Sequence, residues 1–300
     1  MDAFERVIGY FPGCDQKEME ALSLHKPTEI RVRTGRRTKV IWLGGEAEIG
    51  GTVAASEILS LISRMLDHSI YAWEDELGQG YFSLPYGVRV GVSGRFSMDY
   101  DKTRMVAPSS LLIRIAREAK GCIERLRPFL LKNGCAVNTI FLSPPGMGKT
   151  TYLRDACRFL SDAGKEISVV DERGEIAAMR NGISQLDAGS RTDVCEGIAK
   201  ARAIVMLARS MAPHVIVVDE IGSREDAWAI SEAARMGIGI LASAHTSSVT
   251  DALEREMIGS IMTSGILKNA CVLGDQIGNI KGIYVFSEGK WRLKSSSEGL

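Results

Sequence analysis

Several classes of protein are excluded by what the sequence does not contain. Charge of either sign in excess is absent: 37 basic and 37 acidic residues among 300 give a formal net charge of zero, so nothing points to broad electrostatic binding of DNA or RNA. No uninterrupted apolar run approaches the ~20 residues that a membrane-spanning helix needs. The opening MDAFERVIGYF carries acids at Asp2 and Glu5 and has no long apolar core, so no secretory signal is expected. The six cysteines (Cys14, Cys122, Cys135, Cys157, Cys195 and Cys271) are scattered and form no C-x-x-C pair; reduced thiols, not a disulfide framework, are expected. The four histidines are also dispersed and show no local metal-ligand spacing. No internal repeat is present.

What is there falls into two rhythms. At roughly 150 residues per domain, the length suggests two domains. The first, expected over 1–120, reads as a small α+β region. EIRVR (29–33) and TKVIWL (38–43) are strand-like runs around a turn at Gly35. Residues 54–77 carry Ile58, Leu59, Leu61, Ile62, Met65 and Leu66 at helical spacing. GYFSLPYGVRVGVSGRF reads as a hairpin turning at Pro85, Tyr86 and Gly87. LLIRIAR (111–117) predicts another strand and Gly121 to Leu131 a helix, with a linker over 121–135. From 136 to 300 the pattern changes. VNTIFL, ISVVD, HVIVVD and GILASA are short apolar runs mostly without alternation, as in parallel strands covered on both faces. Helical stretches between them give a βαβ rhythm and an α/β domain with a mainly parallel sheet. The tail KSSSEGL (294–300) is polar and expected to fray.

FLSPPGMGKTTYL (141–153) nearly satisfies the phosphate-loop pattern G-x-x-x-x-G-K-[ST], with Ser143 where the opening glycine belongs. It lies between a predicted strand and a predicted helix, the setting such a loop requires. Ser143, Pro144, Pro145, Gly146, Met147, Gly148, Lys149, Thr150 and Thr151 are the expected nucleotide-binding positions. Gly146 and Gly148 let backbone N–H groups turn toward phosphates. Lys149 would reach the β and γ phosphates, and Thr150 would place its hydroxyl on Mg²⁺. HVIVVDEIG (214–222) ends an apolar strand in two acids. Asp219 suits the Mg²⁺ shell, and Glu220 suits a general base toward water. A glutamate in that place argues for hydrolysis over transfer to a small-molecule acceptor.

Other groups follow strands. Asp171, Glu172 and Glu175 in VVDERGEIA either face a ligand at the carboxyl ends of the sheet or line a solvated loop in which Arg173 pairs locally. His245 and Thr246 in ASAHTSS either sense a γ-phosphate or link it to a neighbouring subunit, or His245 simply closes the strand with hydrogen bonds. Arg191 and Arg209 either meet phosphate or an adjacent acid, or lie on the surface.

SPPGMGKTT, VVDERGEIA, VIVVDEIG and ASAHT, in this order, resemble the Walker A, Asp box, Walker B and His box of the type II/IV secretion ATPase superfamily. EIRVRTGR, SIYAWEDELGQGYFSLPYGVRVGVSGR, LLIRIAREAKGC and SRTDV extend the likeness, over nearly the whole chain, to a sporulation branch of it. The resemblance implies a RecA-like P-loop ATPase domain behind a smaller α+β domain, with ATP and Mg²⁺ as cofactors. It implies Glu220, Lys149, Glu172 and His245 as the catalytic set and Thr150 and Asp219 as metal positions. It also implies a homo-oligomer, a hexameric ring, that serves membrane-bound channel or assembly proteins from the cytoplasmic side during endospore formation, between mother cell and forespore. In such rings arginines of the smaller domain complete the site, and Arg31, Arg33, Arg89 and Arg95 are the matching candidates here. Two other functions stay open: a RecA-like ATPase stimulated by nucleic acid, for which no added binding module is expected after IYVFSEGKWRL, and a nucleotide-switched scaffold with little turnover.

Overall fold

The computed structural model describes residues 3–99, 102–115, 119–179, 182–274 and 278–296. The chain divides into two compact units, 1–117 and 118–300.

Alternating apolar and polar residues set the architecture of the first unit. Glu29–Arg33 (β1), Arg37–Trp42 (β2), Gly45–Thr52 (β3), Tyr81–Leu84 (β4), Val88–Asp99 (β5) and Lys102–Ile115 (β6) form an antiparallel sheet in the order β3-β2-β1-β6-β5-β4. Ile30, Val32, Val40, Val90 and Ile113 point to one buried face. Ala3–Ile8 (α1), Gly13–Leu22 (α2) and Ala55–Met65 (α3) add Phe4, Met19, Ile58 and Ile62 to the same core. The helix expected through 54–77 is broken. Asp67 and His68 take φ of 48° and 60°, a left-handed pair that no α-helix can contain. The chain resumes as a 3₁₀ turn, Ile70–Trp73, and a short helix, Glu74–Gly78 (α4). The strand expected from 111 starts much earlier, at Lys102. Two register shifts in its pairing with β5, at Ser93/Gly94 and Arg95/Phe96, hide its alternation. Gly94 is obligatory at the first shift, because a Cβ would stand 2.2 Å from the Ala107 carbonyl oxygen. Residues 116–118 of the expected strand and junction lie outside the described residues.

In the second unit the expected helix from Gly121 to Leu131 is replaced by a 3₁₀ turn, Glu124–Leu126, and one helical turn, Arg127–Leu130 (α5). Pro128, in the first turn of α5, lacks the amide that a longer helix would need there. A small hairpin, Leu131–Lys132 (β7) and Cys135–Ala136 (β8), follows. Then come Thr139–Leu142 (β9), Lys149–Asp162 (α6), Ile167–Val170 (β10), Thr192–Cys195 (β11), Lys200–Ser210 (α7), Val215–Val218 (β12), Arg224–Arg235 (α8), Gly239–Ala244 (β13), Val249–Glu254 (α9), Glu256–Thr263 (α10), Asn269–Leu273 (β14), Ile280–Ser287 (β15) and Lys290–Ser296 (β16). The sheet order is β11-β10-β12-β13-β9-β14-β15-β16. It is parallel from β11 to β14 and antiparallel beyond. Every residue of β9, β10 and β12 is buried. Ile140, Val218 and Ala242 pack on one side with Ala203 of α7 and Ile230 of α8. Phe141, Val217 and Leu241 pack on the other with Leu153 and Ala156 of α6. Each fully buried branched side chain stabilises by ~1.5–3 kcal/mol, so this double-sided burial makes the sheet a rigid base. The parallel strands deliver their carboxyl ends, and the loops attached there, to one edge. The first three residues of the polar tail close β16, and 297–300 lie outside the described residues.

Candidate nucleotide site

Strand β9 leads into the phosphate loop, and α6 begins at Lys149. Gly146 and Gly148 have φ of 77° and 93°, a backbone that only glycine adopts without strain. Gly148 is the N-cap of α6 and no side chain caps the helix, so its first-turn amides remain available to an anion. Ser143 has no left-handed backbone, so its position makes no demand for glycine. Its buried hydroxyl instead donates to the Pro144 carbonyl at 2.7 Å and accepts from Lys149 Nζ at 3.3 Å.

Lys149 is buried and donates to the carbonyls of Ser143 (3.1 Å) and Pro144 (3.2 Å) and to His245 Nδ1 (2.8 Å). Burial pushes its pKa below the usual lysine value, against the opposing pull of Asp219, Glu220 and Glu175. With Lys149 donating to Nδ1, the imidazole proton sits on Nε2, which donates to Glu220 Oε1 at 2.6 Å. The other carboxylate oxygen of Glu220 pairs with Arg173 Nη1 at 2.5 Å. At the end of β12, Asp219 Oδ2 accepts from the Thr150 hydroxyl at 2.9 Å. Asp219 Oδ1 accepts from Ser243 Oγ. The same Ser243 oxygen takes the Glu220 amide at 2.9 Å. Phosphate loop, β12 and β13 are thus joined by one polar network.

Glu220 has φ of 52°, a conformation that costs a non-glycine residue roughly 1–3 kcal/mol and persists only where surroundings impose it. Those surroundings are Ser243 Oγ on its amide, the Ser243 carbonyl on the next amide, Ile221, at 2.8 Å, and Lys200 Nζ on its carbonyl at 2.7 Å.

The three acids after β10 separate. Asp171 is buried and accepts the amides of Glu175 (2.8 Å), Ile176 (3.1 Å) and Ala177 (2.8 Å); it clasps its own loop. Glu172 is half exposed and 3.4 Å from Lys200 Nζ. The Glu175 carbonyl takes Arg154 Nη2 at 2.5 Å. Glu172, Arg173, Lys200, Asp219 and Glu220 line one small cleft with Asp171. Thr246, beside His245, has a buried hydroxyl without a partner. Pro144, Pro145 and Gly146 are exposed, and Met147 and Thr151 half-buried. Tyr152 of α6 donates its hydroxyl to the Gly278 carbonyl at 2.8 Å, and the Gly278 amide donates to the Met147 carbonyl at 3.4 Å. The β14–β15 turn therefore touches the phosphate loop.

The remaining arginines have other surroundings. Arg191 pairs with Glu166 at 2.5 Å on the surface, and Arg209 is exposed on α7. In the first unit, Arg31 pairs with Glu29 at 3.1 Å and Arg89 lies 4.3 Å from the Tyr81 ring centroid. Arg33 and Arg95 are exposed.

Sequence reasoning missed Lys200 and Ser243, and it gave Arg173 only a local pairing. Two signals were available. Ser243 is a polar residue inside an apolar, fully covered strand, where a hydroxyl needs partners. Lys200 is a cation in the first turn of a helix, which the helix dipole disfavours by roughly 0.3–1 kcal/mol, so it needs an anionic or carbonyl partner.

The residues also fit a divalent cation. Thr150 and Asp219 present hard oxygens side by side, and Mg²⁺ characteristically takes one or two protein ligands and completes its shell with water and phosphate. Among the described residues no group of three or more His, Cys, Asp or Glu could hold a metal ion.

The fold defined by this sheet and loop is that of the RecA-like secretion ATPases. The ATPase DotB of Legionella pneumophila superposes with a TM-score of 0.61 at 17% identity, over 90% of this chain and 80% of that one. The pilus retraction motor PilT, solved with bound ADP, gives 0.62 at 15% identity, over 94% and 83%. The chain belongs to the family described as sporulation stage III, protein AA, whose model matches residues 16–290. Stage III sporulation protein AA of Bacillus subtilis (strain 168) is 38% identical over 234 residues, 76% of each chain.

Proposed function

We propose that this protein binds ATP with Mg²⁺ and hydrolyses it as the motor or assembly ATPase of a secretion-like channel complex in endospore formation. The observation that carries this reading is the convergence of Lys149, Thr150, Asp219, Glu220 and His245 on one loop at the carboxyl edge of the sheet. Lys149 would exchange its carbonyl and imidazole partners for phosphate oxygens, helped by the open amides of α6. Thr150 and Asp219 would hold Mg²⁺, which neutralises phosphate charge. Glu220 would orient a water and accept its proton as the oxygen bonds to the γ-phosphorus and the bond to the β-phosphate oxygen breaks. His245 connects Lys149 to Glu220, so the side chain that meets phosphate is one hydrogen bond from the one that holds the base. Glu172 would act from the rim of the same cleft.

Both carboxylate oxygens of Glu220 are engaged by His245 and Arg173, which favours slow basal turnover that a partner accelerates. A hexamer working on membrane-bound channel proteins from the cytoplasmic side is part of this proposal. Among the described residues no helix is long and apolar enough to cross a membrane. The test is Glu220→Gln. It should bind ATP normally and hydrolyse it roughly 10²–10⁴-fold more slowly, the usual contribution of a general base. Unchanged turnover would remove Glu220 from this role.

A further inference from the structure

We propose that Lys200 is a positioning residue for Glu220, one that fixes the backbone from which the carboxylate is presented. This inference rests on the ATPase reading above and adds to it a residue outside the four sequence segments that define the site. Three observations carry it. First, Glu220 is a non-glycine residue with a left-handed backbone, φ 52°, and its neighbours must hold it there. Second, two groups grip its peptide units. Ser243 takes the Glu220 amide on its Oγ at 2.9 Å and the following Ile221 amide on its carbonyl at 2.8 Å, and Lys200 Nζ donates to the Glu220 carbonyl at 2.7 Å. Third, Lys200 stands in the first turn of α7, against the helix dipole, yet its side chain is only 12% exposed.

An ion pair with Glu172 does not account for that placement. The pair is longer, 3.4 Å, and Glu172 is half exposed, and pairs of that kind contribute little. The short contact is the one to the Glu220 carbonyl, a charge-assisted bond of the stronger class. If the ammonium is lost, the Glu220 carbonyl loses this partner and its peptide is held only through the Ile221 amide on Ser243, which lets the peptide tilt out of the left-handed geometry. Its Cβ is then redirected and the carboxylate leaves His245. Lys200 also meets Glu172, and Arg173 meets Glu220. The loop after β10 and the end of β12 are consequently clamped to each other at two points, and Lys200 supplies one of them. Lys200 touches neither phosphate loop nor metal position, so ground-state nucleotide binding should not depend on it.

The experiment compares the parent chain with Lys200→Met, Lys200→Arg, Glu220→Gln and the Lys200→Met/Glu220→Gln double variant. It reads single-turnover ATP hydrolysis at saturating ATP, Kd for a fluorescent ATP analogue, and Tm. The expected result for Lys200→Met is about a tenfold to hundredfold slower hydrolysis, the scale of one charged hydrogen bond, with Kd unchanged and Tm lowered by a few degrees at most. Lys200→Arg should recover most of the rate. In the Glu220→Gln background the methionine should have no further effect, since residues acting as a unit are not additive. Three results overturn the inference alone: parent-like hydrolysis by Lys200→Met while Glu220→Gln is slow; parallel loss of rate, binding and Tm that arginine does not restore; or full additivity in the double variant. A parent chain that binds ATP without hydrolysing it removes the ATPase reading and this inference with it.

Discussion

Ser143 occupies the place where the phosphate-loop pattern has glycine, and its surroundings explain why the loop keeps its shape. The left-handed angles fall at Gly146 and Gly148; position 143 needs none, and its hydroxyl has become a partner of Lys149. Lys149 in turn carries a titration that can be measured. Its pKa lies below the ordinary 10.5, first because burial disfavours the charge. Between that lowered value and 10.5 the folded chain binds fewer protons here than the unfolded chain, so this lysine's contribution to stability rises with pH. A phosphate at Lys149 favours the charged form and reverses the shift. ATP binding in that alkaline window should therefore take up protons and weaken as pH rises. Calorimetric titrations in buffers of different ionisation enthalpy measure the uptake directly. Proton release, or no transfer at all, would contradict the placement of Lys149 against phosphate.

At the scale of elements, legibility followed burial. Strands β9, β10, β12 and β13 were readable because nearly continuous apolar runs have few other uses in a chain of this composition, and the loops after them carried four recognisable segments. Strand β11 was not read as a strand, because Thr192 and Asp193 lie on an exposed edge where apolar residues are not required. Burial was not sufficient in the antiparallel extension β14–β16: Lys290–Ser296 is mostly polar, and the fully buried β14 is a short run that leads into no recognisable segment. The helix over 121–131 failed at Pro128, and a tertiary tie does its work instead. Asp155 of α6 accepts the Ile123 amide at 3.1 Å and pairs with Arg158. Burial alone would raise its pKa, but the bonds from Arg158, Ile123 and Gly121 outweigh that and leave it lowered. Asp155→Ala strands a buried amide and should cost about 1–3 kcal/mol. Because the folded pKa is depressed, this stabilisation is present above the unfolded value of 3.8 and fades as pH falls through the folded one. Denaturant unfolding of parent and variant at neutral and strongly acidic pH should show the difference shrinking with acid; a constant difference would mean that the carboxylate charge plays no part.

For the whole molecule, the six cysteines offer a map of the protected regions. All six are free thiols. Cys14 and Cys135 are exposed, while Cys157 and Cys271 are buried and have their pKa values pushed up, that of Cys157 to about 12. Mild alkylation of the native protein, with mass spectrometry as the readout, should label Cys14 and Cys135 and spare Cys157 and Cys271 until denaturant is added. Early labelling of Cys271 would show that strand β14 opens readily. The protection of β14 matters because this strand carries the β14–β15 turn. Through Gly278 that turn reaches both the helix and the loop that would cradle phosphate, by way of Tyr152 and Met147. The C-terminal strands are therefore more than an added edge to the sheet: they brace the start of α6 and the loop before it. Loosening the C-terminal strands would thus remove a support from Tyr152 and Met147, which both lie far from them in sequence.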